Sequence, residues 1–152
     1  MKLCADENIA PKLSAMIREQ LCSRDFLLET VDDHAAKGVD DQIWVRNFAK
    51  AGGEAVVSGD AAMTKKHHEV LAIHETGLRL VVLDERWARQ KKHLQIAYLF
   101  FWWPSIEEVL RTARQGQCFK VPWAWPADPS ARSIKALSLD VQEAYRKLKR
   151  RG

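Results

Sequence analysis

Carboxylate side chains follow three short apolar segments of the sequence, at the points where buried strands would end. They are Asp6 and Glu7 after KLCA, Asp60 after EAVVSG, and Asp84 after LRLVVL. Carboxylates held close together repel and raise one another's pKa unless a cation neutralises them. A hard divalent ion that keeps several waters is the simplest neutralising partner. Parallel strands ending at these acids would therefore build a Mg2+ or Mn2+ site.

A further acidic pair, Asp40 and Asp41, opens a helical pattern in the segment GVDDQIW. Aspartate at the start of a helix most often caps it by accepting a backbone N–H. Asp60 and Asp84 have the same capping explanation when each is taken singly. Only the joint placement of these acids indicates a shared cation site.

The elements that must position the acids alternate between strands and helices. Strands are predicted at 3–5, 26–31, 54–58, 78–83 and 118–121, the last as an edge strand. Helical patterns lie between them, and one ends at the Gly77 cap. This order predicts an α/β fold with a mostly parallel central sheet and helices on both faces. The acids would then meet at the carboxyl edge of the sheet.

Two predictions concern the second half of the chain. A long helix from Arg86 is expected to end before Pro104, and Ser105 with Glu108 has capping-box spacing for a new helix. A C-terminal amphipathic helix is predicted from an apolar stripe at Ile134, Leu137, Val141, Tyr145 and Leu148. That stripe packs on this body, on a second copy or on another protein, and the sequence does not choose.

Trp123 and Trp125 stand in the proline-rich stretch VPWAWPADPS, which forms neither a regular helix nor a central strand. Packing back over the body is the favoured interpretation, with base stacking or a partner surface as the alternative.

The positive charge of the chain is concentrated at its C-terminal end. Residues 131–152 carry seven Lys or Arg against two acids, whereas the first 130 carry 17 basic and 18 acidic side chains. A basic end favours an anionic partner such as nucleic acid. A solvated amphipathic helix explains the charge equally well.

Composition predicts a cytoplasmic protein with no membrane partner. Cys4, Cys22 and Cys118 have no ligand spacing and are expected to be reduced. The longest apolar run, IAYLFFWW, is too short to cross a bilayer, and no secretory signal pattern opens the chain.

Three segments in order, LCADENIAPKL, GVDDQIW and AVVSGDAAM, resemble the PIN-domain ribonucleases. More narrowly, they resemble the compact PIN-like proteins that include VapC-type toxins of toxin–antitoxin pairs. The resemblance covers about residues 1–121 and implies a three-layer α/β/α nuclease domain. Residues 122–152 would form a Pro/Trp-containing linker and a basic amphipathic helix.

The resemblance also implies roles for the acids. Asp6, Asp40, Asp60 and Asp84 would be the catalytic set. Asp6 and Asp60 would bind the metal directly, while Asp40 and Asp84 would act through water or position the attacking water. Asp40 is preferred to Asp41 because its spacing to Ile43 matches the family pattern.

Further candidates surround this set. Glu7 and Asp41 are secondary acidic candidates, and Ser58 is expected to bind a phosphate or steady Asp60. RNA contacts are predicted at Lys65, Lys66 and His67.

The implied activity is Mg2+- or Mn2+-dependent endonucleolytic hydrolysis of RNA, with a cognate antitoxin as partner and a homodimer expected by resemblance. One alternative is a catalytically silent PIN-like module that binds RNA or protein. Another is a receiver-type phospho-acceptor domain, in which Lys120 resembles the strand-five lysine. Asp84 argues against the receiver, because that fold needs Ser or Thr there.

Overall fold

The computed structural model describes residues 1–151 and shows six strands and five α-helices. The strands are β1 (Lys2–Ala5), β2 (Leu27–Thr30), β3 (Ala55–Ser58), β4 (Arg79–Leu83), β5 (Cys118–Val121) and β6 (Lys135–Leu137). The helices are α1 (Pro11–Gln20), α2 (Asp41–Lys50), α3 (His67–Thr76), α4 (Lys92–Thr112) and α5 (Val141–Arg151).

The strands form one sheet in the order β2-β1-β3-β4-β5-β6. All neighbours pair in parallel except β6, which is antiparallel to β5. Ala5 pairs with Val57, so the residues that follow β1 and β3 leave the sheet side by side. The predicted α/β fold with a mostly parallel sheet is therefore confirmed.

Two apolar cores cover the two faces of this sheet. Leu3, Val57 and Val81 face a core that contains α1 and α4. The alternate residues, such as Cys4 and Val56, face a second core that contains α2 and α3. This alternation follows from the two-residue period of a strand, and it produces the three layers.

Helix α4 corrects the prediction of two helices around Pro104. A 3-10 turn at Trp87–Arg89 precedes α4, which begins at Lys92 and continues through Pro104 to Thr112. A proline inside a helix costs about 3 kcal/mol because it removes a hydrogen bond and clashes with the preceding turn. Trp102, Trp103 and Ile106 are all fully buried on either side of it. Burying such side chains is worth about 1.5–3 kcal/mol each, which outweighs that cost.

The C-terminal segment corrects two further predictions. Lys135–Leu137 forms strand β6, so the helical stripe does not begin at Ile134, and α5 starts only at Val141. Strand β5 is consequently not an edge strand, since β6 pairs with it. Three residues of antiparallel pairing satisfy an edge that β5 would otherwise leave open.

The tryptophan-containing linker packs over α4, as predicted. Trp123 stacks on Tyr98 with ring centroids 5.1 Å apart, and Trp125 lies 5.0 Å from Phe101. The indole N–H of Trp102 donates to the carbonyl of Ala124 at 3.2 Å. This segment therefore closes one side of the α4 core.

The three cysteines are free thiols, as the sequence predicted. Within residues 1–151, no helix combines the length and apolar character that a membrane crossing requires.

Candidate active site

Asp6 and Asp60 are connected through a single hydroxyl group at the carboxyl ends of β1 and β3. Ser58 Oγ donates to Asp6 Oδ2 and accepts the backbone N–H of Asp60 at 3.0 Å. Ser58 is fully buried, so its side chain is fixed between the two acids. The sequence-based role of Ser58 in steadying Asp60 has a direct geometric counterpart in this contact.

Asp6 is buried and held by several hydrogen-bond donors. The backbone N–H groups of Asn8 and Gly59 each donate to its Oδ1 at 3.1 Å. Burial raises the pKa of Asp6, whereas the hydrogen bonds from Ser58, Gly59 and Asn8 lower it. A Cβ at Gly59 would lie 2.7 Å from the Trp87 ring, so glycine is required for this close approach.

Asp60 both caps a local turn and faces a cation. Its Oδ1 accepts the N–H of Ala62 at 2.9 Å at the start of a 3-10 turn, Ala61–Thr64. Its Oδ2 lies 3.4 Å from Lys66 Nζ. The capping interpretation is therefore correct for one oxygen of Asp60 and leaves the other oxygen in an ion pair.

Glu69, on α3, is an acid of this region that the sequence analysis missed. Its side chain is buried, and Lys66 Nζ lies 3.7 Å from its Oε1. Its Oε2 finds no hydrogen-bond donor among residues 1–151. The signal was weak, because an acid in the first turn of a helix is ordinarily explained by the helix dipole.

The carboxyl group of Glu69 lies against that of Asp41. Burial first, and then Asp41, raise the pKa of Glu69 to about 8. Two carboxyl groups share a hydrogen bond only when one of them is protonated. Asp41 is itself anchored, because it accepts the indole N–H of Trp44 at 2.8 Å.

A cavity of about 540 Å3 opens where the acids of α2 and α3 meet the loop after β1. Its charged and histidine lining consists of Glu7, Asp40, Asp41, Lys66, His67, His68 and Glu69. Asp40 stands at the N-terminal cap of α2 but makes no side-chain capping hydrogen bond. The capping explanation therefore does not account for Asp40. Glu7 also lines a second cavity, of about 400 Å3, which Asp6 reaches.

Asp84 lies on the same edge of the sheet but has a different environment. It is buried, and Arg86 binds both of its oxygens, with Nε at 2.9 Å and Nη2 at 3.2 Å. The guanidinium of Arg86 holds the pKa of Asp84 below its usual range. Lys120, the lysine named in the receiver alternative, lies 4.0 Å from Asp84 and 2.6 Å from Glu85. It pairs with these two acids and not with Asp60.

The three residues predicted to contact RNA have different surroundings. Lys65 is exposed, whereas Lys66 is engaged with Asp60 and Glu69. His67 lines the 540 Å3 cavity, and its Nε2 is buried without a hydrogen-bond partner in the described chain.

The donor chemistry of this region fits a hard divalent cation. Among residues 1–151, no three His, Cys, Asp or Glu side chains are arranged to hold a metal ion together. Mg2+, however, is usually held by one or two carboxylates and several waters. Asp6 and Asp60 could supply those one or two carboxylates, and Ser58 contacts Oδ2 of Asp6 and the backbone N–H of Asp60; Glu69 adds a buried Oε2 in the neighbouring cavity. Lys66 is the cation that a metal ion would displace from Asp60.

Comparison with known families adds a finding that is independent of this geometry. A family model described as a PIN-like domain matches residues 1–85. That span contains β1 to β4 and all four acids of the predicted catalytic set. Comparisons with curated proteins and with solved structures returned no match.

Proposed function

The chain belongs to the PIN-like domain family, and from that membership we propose that it is a metal-dependent endoribonuclease. The observation that carries the proposal is the pair Asp6 and Asp60, joined through Ser58 at the carboxyl ends of neighbouring parallel strands. Ligands and catalytic groups of open α/β sheets gather at this edge.

Asp6 and Asp60 would hold Mg2+ or Mn2+, with Asp40 acting through a bound water. When bound, such an ion polarises the scissile phosphate, activates water as a nucleophile and neutralises charge on the leaving oxygen. The chain supplies the orientation: Ser58 connects the carboxylate of Asp6 to the backbone of Asp60, and the N–H groups of Asn8 and Gly59 keep Asp6 in place.

The 540 Å3 cavity is not lined by Asp6 or Asp60, but Lys66, the ion-pair partner of Asp60, lines it, and it would supply room for substrate and for the attacking water. Its open volume lies next to Asp40, Asp41 and Glu69. We assign Asp41 and Glu69 a positioning role, because burial and the neighbouring Asp41 raise the pKa of Glu69 and so disfavour its ionised form.

Calorimetric titration with Mn2+, followed by cleavage of labelled RNA, tests the proposal. Wild type is compared with Asp6→Asn and Asp60→Asn, and with Asp128→Asn as a control at an exposed acid of the linker. We expect saturable Mn2+ binding and RNA cleavage in wild type and the control, and loss of both in the two site variants. Equal Mn2+ binding by all four proteins, each shown to be folded, would refute the metal site.

A catalytically silent module is the second candidate, and Lys66 is the observation that favours it. Its ammonium already lies between Asp60 and Glu69, so the chain carries its own neutralising cation. RNA binding in EDTA, with neither saturable Mn2+ binding nor cleavage of any RNA tested, would support this candidate over the nuclease.

We also propose the narrower role of a toxin that a cognate antitoxin protein neutralises. This role rests on the resemblance of the three motifs to VapC-type proteins. Induced expression in a bacterial host tests it: wild type should arrest growth, and Asp60→Asn should not. Normal growth with active, soluble enzyme would exclude the toxin role and leave the nuclease proposal standing.

A further inference from the structure

Helix α5 docks on α3 along one side and leaves the other side uncovered. Ala144 is buried against Val70 and Leu71 of α3. Tyr145 Oη donates to Glu75 Oε1 at 3.1 Å, which fastens the two helices together. The start of the C-terminal helix therefore packs on its own body, whereas Tyr145 and Leu148 of the predicted stripe stay exposed.

The uncovered side of α5 is strongly basic. Its exposed cations are Arg146, Lys147, Lys149, Arg150 and Arg151. Arg146 and Lys147 lie within 3.3 and 3.8 Å of Glu143, the one acid of the helix. Lys149, Arg150 and Arg151 have no ion-pair partner within residues 1–151. Cations in the last turn of a helix interact favourably with the helix dipole. That interaction is screened by solvent and does not require so many cations.

A cleft of about 210 Å3 lies between this basic side and the candidate active site. Lys65, His67 and Lys147 contribute to its walls together with two acids, Asp140 and Glu143. His67 also lines the acidic cavity, so one imidazole separates the two spaces. Burial lowers the pKa of His67, and His68 and then the nearby positive charges of Arg151 and Lys147 lower it further. The basic end of α5 thus acts electrostatically on the wall of the cavity.

We propose that Lys147, Arg150 and Arg151, which form the basic face of α5, bind the phosphate backbone of single-stranded RNA and lead it past Lys65 into the acidic cavity. The proposal rests on the proposed nuclease function. These three residues lie on one helical face because they are three and four positions apart. An acidic cavity repels a polyanion, so a cationic approach raises the local concentration of the substrate.

An RNA occupant fits this face better than an acidic protein does. Stable protein interfaces have an apolar core surrounded by a polar rim. Beside the cations, the uncovered part of α5 offers only Leu148 and Tyr145, which are 38% and 40% exposed. Phosphate contacts need no apolar core, since they act through charge and carry no sequence information.

Fluorescence anisotropy of a labelled single-stranded RNA tests the proposal on the full chain, with EDTA present so that no cleavage occurs. The test variant carries Lys147→Gln, Arg150→Gln and Arg151→Gln. We expect its affinity to fall about tenfold or more. Log affinity falls with log salt concentration, and the slope should become shallower by about 2, because each lost phosphate contact on a single strand contributes about 0.7.

The matched control removes the same charge elsewhere. It carries Arg24→Gln, Lys50→Gln and Arg114→Gln, exposed cations near the amino-terminal edge of the sheet. This control should keep the wild-type affinity and salt slope. An equal loss in the two variants, or no loss in either, would overturn the basic face as an RNA-binding surface.

Two further outcomes separate this proposal from the nuclease proposal. If only the α5 variant loses RNA affinity and wild type binds no Mn2+, the basic face is supported and the nuclease proposal is refuted. Tighter binding of wild type to a polyglutamate peptide than to RNA overturns the basic face as an RNA site and assigns it to an acidic protein, whether or not Mn2+ binds.

Discussion

The carboxylates on the two halves of one sheet edge differ in how far nearby cations compensate their charge. At the ends of β4 and β5, Asp84 and Glu85 are matched by Arg86 and Lys120, so the local charge is compensated. At the ends of β1 and β3, acids outnumber cations, and Lys66 is shared between Asp60 and Glu69.

This difference shows that position at a strand end does not by itself make an acid functional. A carboxylate already held by a bidentate arginine gains little from a metal ion, because its charge is neutralised. Glu69, by contrast, is buried beside another acid, Asp41, so a cation placed there would stabilise its ionised form. The uncompensated half is therefore the better candidate for chemistry.

Replacing one acid in each half tests the comparison with the largest expected effect. Asp6→Asn should lower Mn2+ affinity and RNA cleavage by about 100-fold or more, because Asp6 is one of the two ligands that we propose for the metal. Asp84→Asn should change either quantity by less than about 3-fold, since its partner is Arg86 rather than the metal. Circular dichroism confirms that both variants are folded. Equal losses would place Asp84 in the catalytic set, as the sequence analysis predicted.

Glu69→Gln sharpens the comparison through the pH dependence of stability. The pKa of Glu69 is about 8 in the folded protein against a usual 4.5. The folded chain thus keeps a proton that the unfolded chain releases, and wild-type stability falls as pH rises between these values. The glutamine variant lacks this loss, so it should exceed wild type by roughly 2 kcal/mol at pH 9, after allowing for water in the cavity.

Urea unfolding in EDTA at pH 5, 7 and 9 measures the difference between the two proteins. Their unfolding free energies should be closest at pH 5, where Glu69 is protonated in the folded protein and has only begun to ionise preferentially in the unfolded chain. A gap of constant size at all three values would mean that Glu69 does not titrate in this range.

Arg86→Ala tests the compensated half and should have the smallest effect. It leaves Asp84 buried with Lys120 at 4.0 Å as its remaining cation, so the unfolding free energy should fall slightly at pH 7. Asp84 has a lowered pKa in the folded protein, so its contribution is present above about pH 4 and is lost as pH falls below that. The difference between the variant and wild type should therefore shrink as pH falls below about 4. A persistent difference there would assign the effect to lost packing of the arginine stem.

Much of the fold and part of the site followed from local patterns. The pairing of Ala5 with Val57 brings Asp6 and Asp60 to the same edge of the sheet. The alternation of strands and helices is sufficient to predict that these two strands run parallel. Glu69 was missed because its environment depends on how α3 packs against α2, and no spacing rule encodes that packing. Arg86 lies only two residues beyond Asp84, so the sequence itself contains the cation that pairs with that acid.

The errors in the second half have a common physical cause. Proline rules describe local conformational cost, whereas Pro104 is tolerated because the helix around it is buried in a large aromatic core. The segment 135–137 has only two apolar residues and no clear alternation, so its pairing with β5 is set by tertiary contact rather than by its own sequence.

Strand β6 also has a consequence for the solubility of shortened chains. A fragment ending at Val121 would leave one side of β5, including Phe119, with open backbone hydrogen-bonding groups. Such an edge recruits strands from other molecules, and light scattering of the fragment should reveal aggregation that the full chain resists. The exposed Lys135 on β6 opposes this addition in the full chain, because a charged edge disfavours stacking. The last segment of the sheet thus guards against self-association while the helix after it presents its charge to solvent.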